Sequence, residues 1–200
     1  NAGATISTTS PSSNMYATDR FFCEYKNAGN SATVQQVSDA PAGFQKSFKV
    51  TVNTGATMGS NDYLDFQHTI EGYNVADFSF GTSSAKSITL SFWVKSSITG
   101  TFCVGVFSPT SNQRSYRTTY TINAANTWEQ KVITIPGDTG GTTWDVTNGR
   151  GLSIVWAIAI GSYVATSTPN AWVDGISWGT LSGCSTAHLS TSGSTFQLTG

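Results

Sequence analysis

The chain has 200 residues, of which 10% are charged, against about 25% in an average globular protein; 57 are Ser or Thr and 20 are Gly. Ten Lys and Arg nearly balance eleven Asp and Glu, for a net charge of -1, which excludes a nucleic-acid binder that reads phosphates through a basic excess. Low charge with 12% aromatic residues excludes a disordered tail, and the scarcity of Ala, Glu, Lys, Leu and Arg excludes a coiled coil.

Residues 1–15 are small and polar and read as a leader or arm, either loose or lying along a neighbouring strand. Phe21, Cys23 and Tyr25 then alternate with Phe22, Glu24 and Lys26, the period-2 mark of a strand. Val34 and Val37 begin a short strand that ends before Asp39-Ala-Pro-Ala-Gly43. Residues 44–53 form the next strand, and Leu64, Phe66, His68 and Ile70 share one face of another. In 88–95, Ile88, Leu90, Phe92 and Val94 point inward and Thr89, Ser91, Trp93 and Lys95 outward. Strands follow at Phe102–Val106, Tyr116–Tyr120, Trp128–Ile135 and Leu152–Ile158, then a weaker one through Ala171, Val173 and Ile176, and a last one at Phe196 and Leu198. About ten strands with turn signals every 8–12 residues and no helical stripe predict an all-β chain. The expected fold is a jelly-roll β-sandwich of two antiparallel sheets, which protects strand edges. It should form a single domain over 16–200.

The longest apolar run, Ile154 to Ile160, suits a buried strand and is too short to span a bilayer, so no membrane insertion is expected. Three cysteines, Cys23, Cys103 and Cys184, cannot all pair; one disulfide with a free thiol and three buried thiols are both compatible with the sequence.

Catalytic chemistry finds little material. Gly175-Ile-Ser-Trp-Gly179 matches G-x-S-x-G, but a nucleophile elbow needs a following helix and an acid further along the chain. No Asp or Glu follows Asp174. Glu71, Glu129, Asp62 and Asp65 are the candidates for a glycosidase pair, and ion pairing is the simpler role for them. His68 and His188 stand alone, without metal-ligand spacing. The metal content is left open: no metal or cofactor is required, but a structural calcium held by loop carbonyls with Asp62, Asp138 or Asp145 is compatible with the sequence.

Aromatic side chains carry the binding expectation. Sugar rings present flat C–H faces that stack on indole and phenol rings. Trp93 is forced outward by its buried neighbours, with Lys95 beside it. Tyr116 and Tyr120 share a strand face that could extend this platform, and Trp144 and Trp172 lie in loop-like contexts. Trp128 and Trp156 fit packing positions. The candidate ligand-binding set is therefore Trp93, Lys95, Tyr116, Tyr120, Trp144 and Trp172.

Several phrases extend this reading. They are Ala17-Thr-Asp-Arg-Phe21, Ala42-Gly-Phe-Gln-Lys-Ser47, Gln67-His-Thr-Ile-Glu-Gly72, Thr89-Leu-Ser-Phe-Trp-Val-Lys95, Thr127-Trp-Glu-Gln-Lys131 and Phe196-Gln-Leu-Thr-Gly200. The chain from about residue 15 onward resembles a family of bacteriophage tail-fibre and other virion structural proteins, whose domains look like jelly-roll carbohydrate-binding modules. Phe21 stands where that family commonly has Trp. The sequence stops at Gly200 where such proteins continue the last strand, which predicts a domain truncated at its C-terminal end. The resemblance implies a non-enzymatic component of the extracellular particle, acting in host attachment or decoration. Its partners would be host cell-surface polysaccharide or other virion subunits, in a homo-oligomer, on family grounds a trimer. Two alternatives stand beside it: a carbohydrate-binding module of a secreted polysaccharide-degrading enzyme, and, ranked last, a small glycoside hydrolase or lyase.

Overall fold

The structure, a computed structural model, describes residues 4–7, 15–16, 21–26, 31–110, 113–140, 144–176, 179–180, 184 and 187–200. Alternating apolar and hydroxyl side chains become strands almost everywhere among them. The strands are β1 (Ala4–Ser7), β2 (Met15–Tyr16), β3 (Phe21–Lys26), β4 (Ser31–Val37), β5 (Ser47–Thr54), β6 (Tyr63–Glu71), β7 (Ile88–Ser96), β8 (Gly100–Phe107), β9 (Arg114–Ile122), β10 (Glu129–Ile135), β11 (Arg150–Ile160), β12 (Ala165–Thr166), β13 (Trp172–Asp174), β14 (Gly179–Thr180) and β15 (Thr195–Thr199). One four-residue helix, Ala187–Ser190, precedes the last strand.

Two antiparallel sheets face each other. One has six strands in the order β1-β4-β5-β15-β7-β10, the other seven in the order β13-β9-β8-β11-β6-β3-β2. The chain passes between the sheets at β1–β2, β3–β4, β5–β6, β6–β7, β7–β8, β9–β10 and β10–β11 and, among the described residues, joins successive strands within one sheet at β2–β3, β4–β5 and β8–β9. This is the jelly-roll β-sandwich expected from the alternation. A small parallel pair, β12 with β14, forms a separate two-stranded sheet, with β14 lying against β8, β9 and β11.

The last strand is central rather than peripheral. Phe196 and Leu198 of β15 pair with Val50 and Phe48 on one side and with Ser96 and Val94 on the other. Its completion therefore joins the two halves of the six-stranded sheet. Tight connections place glycines where φ is positive: Gly100, at +123°, begins β8 directly after the β7–β8 turn, a conformation that other residues reach only with strain.

Inward positions fill the space between the sheets with rings. Phe48 and Phe66 approach to 4.3 Å, Phe66 and Phe196 to 5.8 Å, and Phe92 meets Trp156 edge-on at 5.8 Å. Val34, Val50, Leu64, Val94, Val104, Leu152 and Ile158 close the gaps. Burial of each large apolar side chain stabilises the sandwich by about 1.5–3 kcal/mol relative to exposure, so this layer dominates its stability.

Of the two readings of the leader, residues 4–7 take the second: they lie antiparallel to β4 and add a strand to the sheet edge. Two details depart from the sequence reading. The weak strand near 171–176 is Trp172–Asp174, and Trp172 pairs with Tyr116. The helix at Ala187–Ser190 was not anticipated, because four residues carry too little periodicity to read.

Candidate functional site

The outward face of the six-stranded sheet is built from the other half of each alternation. Thr33, Lys49, Thr51, Thr195, Ser91 and Gln130 lie on it, so it is mostly hydroxyl, amide and aliphatic stem. Trp93 stands in this face, half-buried, with Gln130 of β10 and Thr199 of β15 as its register partners. Its neighbours Phe92 and Val94 are buried in the core, which fixes the indole outward. Two residues further along β7, Lys95 faces the same way.

Lys95 is held rather than free. Its Nζ lies 2.6 Å from Asp39 Oδ2 and 5.7 Å from the centre of the Trp128 ring. Trp128 Nε1 donates to Asp39 Oδ1 at 3.2 Å, and Gln197 Nε2 donates to Asp39 Oδ2 at 3.1 Å. Asp39 thus gathers three side chains from three strands or strand ends. Its own position is set by Ser47, whose hydroxyl donates to the Asp39 carbonyl at 2.6 Å. The turn after it closes through Phe44 N–H to Pro41 O, with Gly43 at φ +92°. The Lys95 ammonium holds the Asp39 carboxyl below the usual carboxylate range; burial opposes this and is outweighed as Gln197 and Trp128 add their hydrogen bonds. The face therefore carries two fixed tryptophans. Trp128, read from sequence as a packing residue, belongs to this outward cluster, and the signal that could have found it is its adjacency to β10, the strand paired with β7.

The remaining candidates separate from this face. Tyr116 and Tyr120 point inward and are buried, so the platform expected of them does not form on the surface. The error is one of face: a strand shows two equivalent sides, and in β9 the tyrosines take the core side while Arg117 takes the other. Trp144 is 5% exposed and packs edge-on against Phe80 and Trp172. Trp172 is half-buried and donates from Nε1 to the Pro136 carbonyl at 2.8 Å. These two tryptophans close one end of the core rather than line an open surface. Beside them Arg114 grips the fully buried Asp138 through Nε and Nη2, and Trp144 Nε1 and Gly140 N–H complete that carboxylate's partners.

The acids considered for catalysis are occupied in the same way. Burial pushes the Glu129 carboxyl up, but hydrogen bonds from Lys131, Ala124 and Asn123 outweigh it and bring the group down to about 2, which unsuits it as a proton donor at neutral pH. Asp62 accepts from Gly59 N–H and Asp145 from Thr147. Among the described residues no three His, Cys, Asp or Glu side chains converge as metal ligands do. Ser177 of the G-x-S-x-G match lies outside the described residues.

One acid pair escaped the sequence reading. Glu24 of β3 and Asp65 of β6 are direct cross-strand partners on the outward side of the seven-stranded sheet. Gln67 Nε2 donates to both, at 2.8 Å and 3.1 Å. Asp65 is fully buried, and burial, then the Glu24 charge, raises its carboxyl well above the usual range. Arg117 lies on the same face, buried over Gly105, where any Cβ would meet its side chain; burial lowers its guanidinium to about 9. This face is covered. Cys103, Ala157 and Ile160 on it form a second apolar cluster with Tyr63 and Ala165, and a disulfide joins Cys103 to Cys184, with Cα atoms 5.7 Å apart. Cys23 is a buried free thiol. A carboxylate sealed in this way meets no substrate.

No protein-family model matches the chain, and no curated protein matches it in sequence. Solved structures resemble it in outline. An enzymatically active domain of the bacteriophage CBA120 tailspike protein 4 aligns with 90% of this chain at 12% identity and TM-score 0.46; the chain spans 18% of that protein's length. A family 16 carbohydrate-binding module aligns over 88% of this chain and 86% of its own, at 10% identity and TM-score 0.36. A family 11 carbohydrate-binding module from Clostridium thermocellum, solved with a mixed-linked β-1,3-1,4 tetrasaccharide, aligns over 78% and 94%, at 16% identity and TM-score 0.37.

Proposed function

We propose that the chain is a non-catalytic display module that holds its six-stranded face against host-surface polysaccharide, as part of a phage virion protein such as a tail fibre. The observation that carries this reading is the outward Trp93 indole, set in a sheet face of hydroxyls and amides, with the Asp39–Lys95–Trp128 cluster further along the same face. An indole presents a flat apolar surface with a polar edge, which matches the C–H face of a sugar ring. The neighbouring hydroxyls and amides match its rim. Rigid strands pre-set the geometry, so little entropy is lost on binding. The particle location and the assembly into oligomers rest on the resemblance of the sequence phrases quoted above.

The test is adsorption of the purified chain to host cells and to their extracted polysaccharide. Trp93→Ala is expected to weaken adsorption tenfold or more, corresponding to at least about 1.4 kcal/mol, with the circular dichroism spectrum and melting profile close to wild type. Adsorption unchanged by the substitution overturns the reading. The same face would serve a binding module of a secreted polysaccharide-degrading enzyme, and a catalytic domain encoded on the same polypeptide would distinguish that case.

A further inference from the structure

The outward face of the six-stranded sheet carries an unpaired cation. Phe48 and Val50 are buried in the core, which turns Lys49 of β5 outward between them. Its register partners are Gln35 of β4 on one side and Gln197 of β15 on the other, and Gln197 in turn faces Lys95 of β7. One row across four strands therefore reads Gln35, Lys49, Gln197, Lys95.

The two lysines of this row differ in what they meet. Lys95 has Asp39 at 2.6 Å. That carboxylate is shared further: Oδ2 also accepts from Gln197 Nε2, and Oδ1 accepts from Trp128 Nε1. Among the described residues, the strands of this sheet hold one acid, Glu129. It is the register partner of the inward Val94 and is held by Lys131 and Asn123. The acid pair Glu24 and Asp65 belongs to the outer side of the other sheet. Among the described residues Lys49 has neither an ion-pair nor a hydrogen-bond partner, and the side-chain amide of Gln35 beside it has none. Both residues are half-buried, with apolar stems that pack on the sheet while their polar heads stay at its surface.

We propose that the glycan taken by this face is acidic, and that the anionic group of one sugar residue is held by Lys49 Nζ together with Gln35 Nε2. The inference rests on the glycan reading above and adds the charge of the ligand. A carboxylate or an acid ester accepts from both donors, and hydrogen bonds between ionised groups are about twice as strong as neutral ones. A neutral glycan laid over Lys49 would strip water from the ammonium and return only hydroxyls. The effect is one of selection between ligands more than of raw affinity. Lys49 lies two strands across and two residues along from Trp93, which strand spacing and rise place about 12 Å away. The two contacts are therefore separate and can be removed one at a time.

The experiment is calorimetric titration of the purified chain with polygalacturonate, with the same polymer after reduction of its carboxyls to alcohols, with dextran sulfate and with dextran. The charged member of a pair should bind about fivefold more tightly at low salt, the factor that one exposed ion pair supplies at its best. The gap should close in 1 M salt, where screening is nearly complete. Lys49→Gln should bring the charged polymer to the level of its neutral partner and leave the neutral one unchanged. Lys49→Arg should keep the preference, and so should Lys86→Gln in the loop before β7. Circular dichroism of each variant controls for folding. A preference confined to the dextran sulfate pair supports the proposal with an acid ester as the anion, and one confined to polygalacturonate supports it with a carboxylate. Equal binding of charged and neutral polymers, or a preference that survives Lys49→Gln, overturns the proposal; if that binding is lost in Trp93→Ala, the adhesion reading stands. A preference that disappears in Lys49→Gln while Trp93→Ala changes nothing supports the acidic ligand and overturns Trp93 as the carrier of adhesion. No binding to either charged polymer overturns the acidic ligand, and adsorption to host cells then decides the adhesion reading by itself.

Discussion

At the residue scale, His188 shows how one side chain ties stability to pH. Ser96 Oγ lies 2.9 Å from His188 Nε2 and donates its own proton to the Ile98 carbonyl at 2.7 Å. His188 Nε2 must then carry the proton of that pair. Its Nδ1 is buried without a hydrogen-bond partner among the described residues, so a second proton would place a charge and an unmet donor in the core. Burial accordingly lowers the imidazole to about 4. The folded value lies below the unfolded one of about 6.5; the contribution is complete above about pH 6.5 and is lost as pH falls toward 4. His188→Gln keeps a donor for Ser96 and removes the titration. Melting temperatures recorded from pH 7 to pH 4 should fall for the wild type and fall less for the variant. Equal slopes would assign the acid sensitivity to other groups.

At the element scale, the covered side of the seven-stranded sheet depends on a crosslink. Cys103–Cys184 closes a sequence separation of 81 residues. In the chain-entropy account a loop of that size stabilises the fold by about 4–5 kcal/mol. Reduction, or the double substitution Cys103→Ala with Cys184→Ala, should lower the melting temperature by roughly 8–20 °C, since each kcal/mol moves a domain of this size by roughly 2–4 °C. The proposed binding face lies on the other sheet, so adsorption at room temperature should persist in the reduced protein. Intact-mass measurement with alkylation should find one free thiol under denaturing, non-reducing conditions, assigned to Cys23. Three alkylated thiols would contradict the pairing.

At the scale of the whole molecule, β10 is an edge. It pairs with β7 and, among the described residues, with no other strand, and its Val132 is 64% exposed. Open edges invite pairing with another chain. Assembly into the proposed oligomer should therefore be sensitive at this strand. Light scattering is expected to give a multiple of the 21.1 kDa chain mass, with three copies the expected number, and Val132→Lys should shift the population toward monomer. A monomeric wild type at working concentration would remove oligomer contact as the role of this edge.

The sequence by itself determined the fold class, because a period of two repeated over strand after strand has one physical solution: inward apolar residues sealed between sheets and hydroxyls left to water. It also determined that Trp93 points outward, since the apolar Leu90, Phe92 and Val94 in alternating positions leave it no other side. It could not determine which side of an amphipathic strand is the surface when both sides carry bulky residues. Tyr116 and Tyr120 went to the core, and Arg117 to a face that is itself covered around it, because the middle of the seven-stranded sheet is buried on both sides. Nor could it bring together Asp39, Lys95, Trp128 and Gln197, whose contacts span up to 158 positions. Strand order decided that gathering. Placing β15 between β5 and β7 set Gln197 beside Lys95 and turned scattered polar residues into one face.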